Sequence, residues 1–175
     1  VYIDEESGSF YPWFTSHTAD DVRTAIAEWN NATGMAMFEE TPAREGADIV
    51  VRWYGEEDKP GAIRVGEGGV NSVIWTDLYT LCLGGEIKMK AMGTSCLNED
   101  LAVHELGHAL GISHSDSPGS MLYPWIGCSR QFDPNISATI DLLYYNASKP
   151  DMYFRNASAS AIGRQVSLYA EIMNR

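Results

Sequence analysis

Apolar positions in this chain change period several times, and each change marks an element. Thr18 with Asp20 and Asp21 opens a stretch in which Val22, Ile26 and Trp29 recur at helical spacing, and Gly34 closes it. Val1 to Asp4, Met35 to Glu40, Ala47 to Trp53, Val70 to Thr76 and Glu86 to Ala91 read as strands, rich in Val, Ile, Trp and Met and separated by glycine turns. Together they predict a five-stranded sheet. Asn98 is placed to cap a second helix, with Glu99 and Asp100 in its first turn and Leu101, Ala102, Leu106, Ala109 and Leu110 on its buried side. Near Asn135 a third stripe follows, built from Ile136, Ile140, Leu143 and Tyr144. Between Ser158 and Met173, the spacing of Ile162, Val166, Tyr169 and Ile172 predicts a fourth helix. The fold class is therefore α+β, with a main domain over about residues 1–146 and a helical extension over 147–175 packed on it.

Length and composition agree with that plan. A chain of 175 residues with 45% apolar content can bury a proper core. No stretch approaches the roughly 18 uninterrupted apolar residues of a membrane span. Val1-Tyr2-Ile3-Asp4 already reads as a strand, so the chain is expected to begin after a removed signal and pro-segment, or to have been trimmed. Twenty-four acidic against 12 basic residues give a net charge of −12, which argues against nucleic acid or an anionic membrane as partner. A monomer is expected.

The chemistry is concentrated in His104-Glu105-Leu106-Gly107-His108-Ala109-Leu110-Gly111-Ile112-Ser113-His114, which holds three of the chain's four histidines. On a helix, His104 and His108 project from nearly the same face one turn apart, so both rings can reach one metal ion. Glu105 lies on the flank of that face. His114 cannot arrive on a straight continuation of the helix, so the chain must turn, and Gly111 permits a left-handed backbone there. Three neutral imidazoles leave a zinc ion with an open fourth position for water. Glu105 is then the general base that takes a proton from the zinc-bound water as it attacks a carbonyl carbon, and the reaction class is peptide-bond hydrolysis. Three imidazoles would also accept other divalent ions.

At these residues the sequence resembles the metzincin metallopeptidases, with their HExxHxxGxxH signature and methionine turn. Within that clan it is most similar to the matrixins, through Ser115 after the third histidine and through Ser117-Pro118-Gly119-Ser120-Met121-Leu122-Tyr123-Pro124. Asp20 to Trp29 with Asn30-Asn31-Ala32-Thr33 is similar to the family's first helix, and Ala47 to Trp53 to its Ala-Asp-Ile strand. The resemblance covers about residues 1–146 and implies a twisted mixed sheet, a backing helix and a zinc-binding active-site helix. It also implies a secreted zinc-dependent endopeptidase that binds protein or peptide in extended form. In the matrixin pattern the methionine directly precedes Tyr-Pro, whereas here Leu122 does, so the turn residue is either Met121 or Leu122. With Met121 in that place, Tyr123 matches the tyrosine that serves as an oxyanion or switch ligand in related metzincins; with Leu122 it is the ordinary matrixin tyrosine. The implied cleft lies between an edge strand over Gly84 to Ala91 and Pro124 to Ile126. Tyr123 to Ile126 would wall the substrate pocket, with Trp125 shaping it.

Other features add less. His17 stands far from residues 55–76, so a second, histidine-rich zinc site in that loop is excluded. The acidic glycine loop from Gly55-Glu56-Glu57-Asp58 through Gly66-Glu67-Gly68-Gly69 could hold Ca2+, although a solvated acidic loop explains it as well. Cys82, Cys96 and Cys128 do not match zinc-ligand spacing. The expected disulfide is Cys82–Cys96, clamping a strand to the start of the active-site helix, with Cys96–Cys128 as the alternative. Astacins similarly close a disulfide shortly before their zinc helix. Sequons at Asn31, Asn135, Asn146 and Asn156 lean toward secretion. The competing functional hypothesis is a metzincin-shaped binding protein, or a latent form, without turnover.

Overall fold

The structure, a computed structural model, describes residues 1–9, 16–54, 65–75, 80–140, 152–162 and 165–174. It forms two compact units, Val1–Ser137 and Ala138–Arg175.

In the first unit, β1 (Tyr2–Asp4) runs into a short turn of helix, α1 (Glu5–Gly8), and the long α2 (Ser16–Thr33) follows. Next come β2 (Ile49–Trp53), β3 (Gly66–Trp75), β4 (Thr80–Met89), α3 (Ser95–Ala109) and α4 (Pro134–Ile140), the last crossing the boundary between the units. The four strands order as β1-β2-β4-β3. β1 and β4 both run parallel to β2, and β3 is antiparallel to β4. Side chains alternate across a strand, so burial alternates too: Ile49, Val51 and Trp53 of β2 and Ile87 and Met89 of β4 are buried. The other face carries Arg52 paired with Glu86 at 2.9 Å.

Val22, Ala25 and Trp29 of α2 and Leu101, Ala102 and Leu106 of α3 complete the core. Two buried hydrogen bonds tie the helices in register. Trp29 Nε1–H donates to the Val103 carbonyl (2.9 Å), and Asn98 Nδ2 donates to Asp21 Oδ2 (2.8 Å). Gly34, with φ of 66°, ends α2 as its position in the sequence predicts.

Five expectations are corrected. Met35 to Glu40 forms no strand, because the Asn30 side chain takes both the N–H and the C=O of Phe38 (2.9 and 2.8 Å) that a ladder would use. Among the described residues the sheet is therefore four-stranded. The active-site helix begins at Ser95 after Thr94, and Asn98 is not its cap. Its amide is buried and divided between the Met92 N–H (2.7 Å) and Asp21. Gly84 to Ala91 is not an edge, since β4 is paired on both sides, with β2 and with β3. Among the described residues the edge strands are β1 and β3. The described residues between 158 and 173 form no helix. The second unit contains β5 (Met152–Ile162) and β6 (Gln165–Asn174), paired antiparallel from Met152↔Asn174 to Ile162↔Gln165. Val166, Leu168, Ala170 and Ile172 alternate with Ser167, Tyr169, Glu171 and Met173 at the strand period.

The disulfide is Cys96–Cys128, with Cα atoms 5.6 Å apart, and not Cys82–Cys96. The loop carrying Cys128 is drawn onto the first turns of α3 by Gly127 N–H donating to Asp100 Oδ2 (3.0 Å). Cys82 belongs to β4, with its backbone paired to Val73. Peptide mapping without reduction is expected to recover a Cys96–Cys128 cross-linked fragment, and Cys128→Ser to lower stability by about 3–4 kcal/mol in the loop-entropy account. A Cys82–Cys96 fragment would contradict this pairing.

Candidate active site

The His–Glu–His stretch folds locally as its spacing requires. α3 carries His104 and His108 one turn apart, and the helix then closes in a Schellman arrangement: Gly111 N–H donates to the His108 carbonyl (2.9 Å) and Ile112 N–H to the Gly107 carbonyl (3.1 Å). Gly111 has φ of 83°, a conformation a side chain would oppose. That turn brings His114 back beside the other two. One ring nitrogen from each of the three histidines can be chosen so that all lie within 4.8 Å of one another.

Two hydrogen bonds orient the rings. His104 Nδ1–H donates to the Met121 carbonyl (2.8 Å), and His108 Nδ1–H donates to the Ile112 carbonyl (2.7 Å). A carbonyl can only accept, so each Nδ1 carries the proton and each Nε2 keeps its lone pair. These two Nε2 atoms face each other at 3.0 Å. Two acceptors so placed fit a cation between them, and the donor set suits zinc. Burial is the main cause that pushes His104 down to about 4, helped by the neighbouring imidazoles; His108 is also lowered, mainly by burial. Both rings are thus held in the neutral form that ligation requires.

Glu105 is buried, 4% exposed. It opens into a cleft of about 480 Å³ lined by His104, Glu105, His108 and His114 together with Val65, Gly66, Glu67, Gly68, Pro124 and Ile126. A slightly larger hollow, about 540 Å³, lies around Val1, Phe38 and Asp48 and is lined by no imidazole. The glycines at the start of β3 are part of the site. A Cβ on Gly66 would overlap the Glu105 carboxylate, and one on Gly68 would meet the Glu105 backbone carbonyl. Sequence reasoning treats these glycines as an acidic loop. Their two-residue repeat at a strand start, a mark of close backbone approach, is the signal that could have found them. The Gly55–Asp58 half of that loop lies outside the described residues. For His17, the structure describes only its backbone, at the start of α2.

The turn beneath α3 uses both Met121 and Leu122. Met121 is buried and gives the carbonyl that orients His104, while Leu122, fully buried, lies against Gly107, where a Cβ would come within 2.6 Å of its Cδ2. Of the residues expected to wall the pocket, Pro124 and Ile126 line the cleft. Trp125 does not, being 64% exposed between them. Tyr123 is also absent from the lining. Its ring lies 5.1 Å beneath the Arg130 guanidinium, and its carbonyl accepts from Arg130 Nη1 (3.2 Å).

Residues 12–144 match the family model described as Matrixin. The chain is 33% identical over 116 residues to Matrix metalloproteinase-2 of Drosophila melanogaster, an overlap of 59% of this chain and 15% of that protein. It is 27% identical over 115 residues to the Hatching enzyme of Paracentrotus lividus, covering 61% of this chain and 18% of the relative. Against the Probable matrix metalloproteinase 095L of Invertebrate iridescent virus 3, identity is 30% over 110 residues, 56% of this chain and 29% of the relative. The chain thus spans less than a third of the length of these curated relatives.

Two outcomes are expected from this geometry. Gly68→Ala forces a Cβ onto backbone and should cost about 1–3 kcal/mol, whereas Gly69→Ala, whose Cβ meets nothing within 4 Å, should stay within about 0.5 kcal/mol in thermal or urea unfolding. Equal effects would contradict the packing of β3 on Glu105. In metal-free protein, the lowered His104 and His108 bind fewer protons folded than unfolded at pH values below the ordinary 6.5. Stability should therefore fall as pH drops from about 6.5 toward 4, read as a falling Tm in the presence of chelator. A Tm that holds or rises across that window would contradict the buried neutral imidazoles.

Proposed function

We propose, from the premise that this chain belongs to the matrixin family, that it is a zinc endopeptidase in which His104, His108 and His114 hold the metal and Glu105 is the general base. The observation that carries this reading is the pair of unprotonated Nε2 atoms 3.0 Å apart, beside a buried carboxylate, at the floor of an open cleft. Zinc held there supplies Lewis acidity, lowering the pKa of water toward about 7 and stabilising negative charge that develops on a carbonyl oxygen. Glu105 takes the proton from the attacking water and delivers it to the leaving amine. The Nδ1 bonds from His104 and His108 keep both rings in the ligating tautomer throughout. Met121 and Leu122 act as the floor beneath the helix and take no part in proton transfer.

Substrate enters as an extended peptide. Among the described residues β3 lies at an edge of the sheet and its start lines the cleft, so an extended peptide can run alongside it. Pro124 and Ile126 wall the pocket for the side chain just beyond the scissile bond. The chain is secreted on this reading, a compartment that suits its disulfide and its four sequons. Among the described residues no helix is long and apolar enough to cross a membrane. A binding protein without turnover would have no need of a buried carboxylate beside the three imidazoles, so Glu105 favours the enzyme.

The test is cleavage of a denatured protein such as casein by wild type and Glu105→Ala, each assayed for bound zinc, with chelator as control. Wild type should cut, and the variant should keep its zinc while losing about 100-fold or more of the rate. A zinc-loaded wild type inert on proteins and peptides, or a variant of unchanged rate, would contradict the proposal.

A further inference from the structure

Cys96, Asp100, His104 and His108 recur every fourth residue of α3, so they form one stripe that drifts by about 40° per step. The chain leaving the metal turn runs back along this stripe and is tied to it at successive turns. The Met121 carbonyl accepts from His104 (2.8 Å), Gly127 N–H donates to Asp100 (3.0 Å), and Cys128 is bonded to Cys96. Between the first tie and the second lies the cleft wall, Pro124 to Ile126. Arg130 closes the arrangement. Its Nη1 donates to the Tyr123 carbonyl (3.2 Å), its Nε stands 3.9 Å from Asp100 Oδ2, and its guanidinium covers the Tyr123 ring at 5.1 Å. It does this almost buried, with a side chain only 11% exposed, although Cys128, Ser129 and Gln131 around it are exposed. A loop arginine held this way, with a counter-ion, a carbonyl and an aromatic face, orders the segment on both sides of it.

We propose that Asp100 and Arg130 are positioning residues that fix the pocket wall Pro124–Ile126 against the metal helix and thereby set which side chain is accepted just beyond the scissile bond. The proposal rests on the reading of that segment as the pocket wall. Neither residue touches substrate: Arg130 acts through the Tyr123 carbonyl, and Asp100 through the Gly127 amide. Losing the guanidinium frees the backbone on the Tyr123 side of the wall and leaves the Asp100 carboxylate to the Gly127 side alone. The wall then fluctuates while His104 and His108, held by the Met121 and Ile112 carbonyls, stay where they are.

The experiment compares zinc-loaded wild type, Arg130→Gln, Arg130→Lys and, as a milder lesion should the first fail to fold, Asp100→Asn. Hydrogen exchange is measured for residues 123–130 and for 101–114, and kcat and KM for two peptides differing only in Leu or Ala immediately after the cut bond. In Arg130→Gln, exchange over 123–130 should rise about tenfold with 101–114 unchanged. KM for the preferred peptide should rise several-fold, kcat should stay within about twofold, and the preference between the peptides should shrink. Arg130→Lys should recover part of both effects. Unchanged exchange over 123–130 overturns the clamp, and a loss carried by kcat equally for both peptides overturns its role in specificity. If zinc-loaded wild type cuts neither peptide, it is the protease reading that fails, and the exchange data alone then decide the clamp.

Discussion

Two hydrogen bonds to backbone carbonyls, from His104 Nδ1 to Met121 and from His108 Nδ1 to Ile112, are the constraint on which the site depends. Each decides which nitrogen its ring presents, and each fixes a piece of chain that has just left the helix. Satisfying the first demands that the 120–123 turn lie beneath α3, which Leu122 against Gly107 also requires. Satisfying the second demands the sharp turn at Gly111, which in turn delivers His114. The ligand geometry and the local fold are thus one set of contacts.

The sheet and α2 serve this arrangement from the other side. Trp29 bonds to the Val103 carbonyl and Asn98 to Asp21, so α3 cannot rotate to turn its imidazoles away from the cleft. β3 approaches Glu105 so closely that a Cβ at 68 would meet its backbone carbonyl and one at 66 its side chain. The same strand that crowds the carboxylate lies at an edge of the sheet among the described residues. Pro124 and Ile126 line the same cleft, and the segment that carries them is tied to α3 through the Met121 carbonyl and through Asp100.

What the sequence made legible is what short-range geometry determines. The approach of His104, His108 and His114 to one another follows from helical spacing and from glycine's freedom at positive φ at Gly111. What it concealed depends on distant partners. Asn98 looks like a cap until Asp21, 77 residues away, claims its amide. Met35 to Glu40 looks like a strand until the Asn30 side chain occupies Phe38. Cysteine pairing needed the return of the chain along α3, which no spacing reveals. Residues 158–173 carry apolar positions that satisfy both periods, and the alternating Val166, Leu168, Ala170 and Ile172 belong to the strand that forms. Trp125 shows the same limit at the scale of one side chain, since only the local chain path turned it outward between two lining residues.

X-ray absorption at the zinc edge on the stoichiometrically loaded protein reads the ligand set itself. Three imidazole nitrogens at about 2.0–2.1 Å and one further light atom from solvent, with no sulfur, are expected. A sulfur neighbour near 2.3 Å, fewer than three imidazoles, or failure to bind one equivalent of zinc would contradict it.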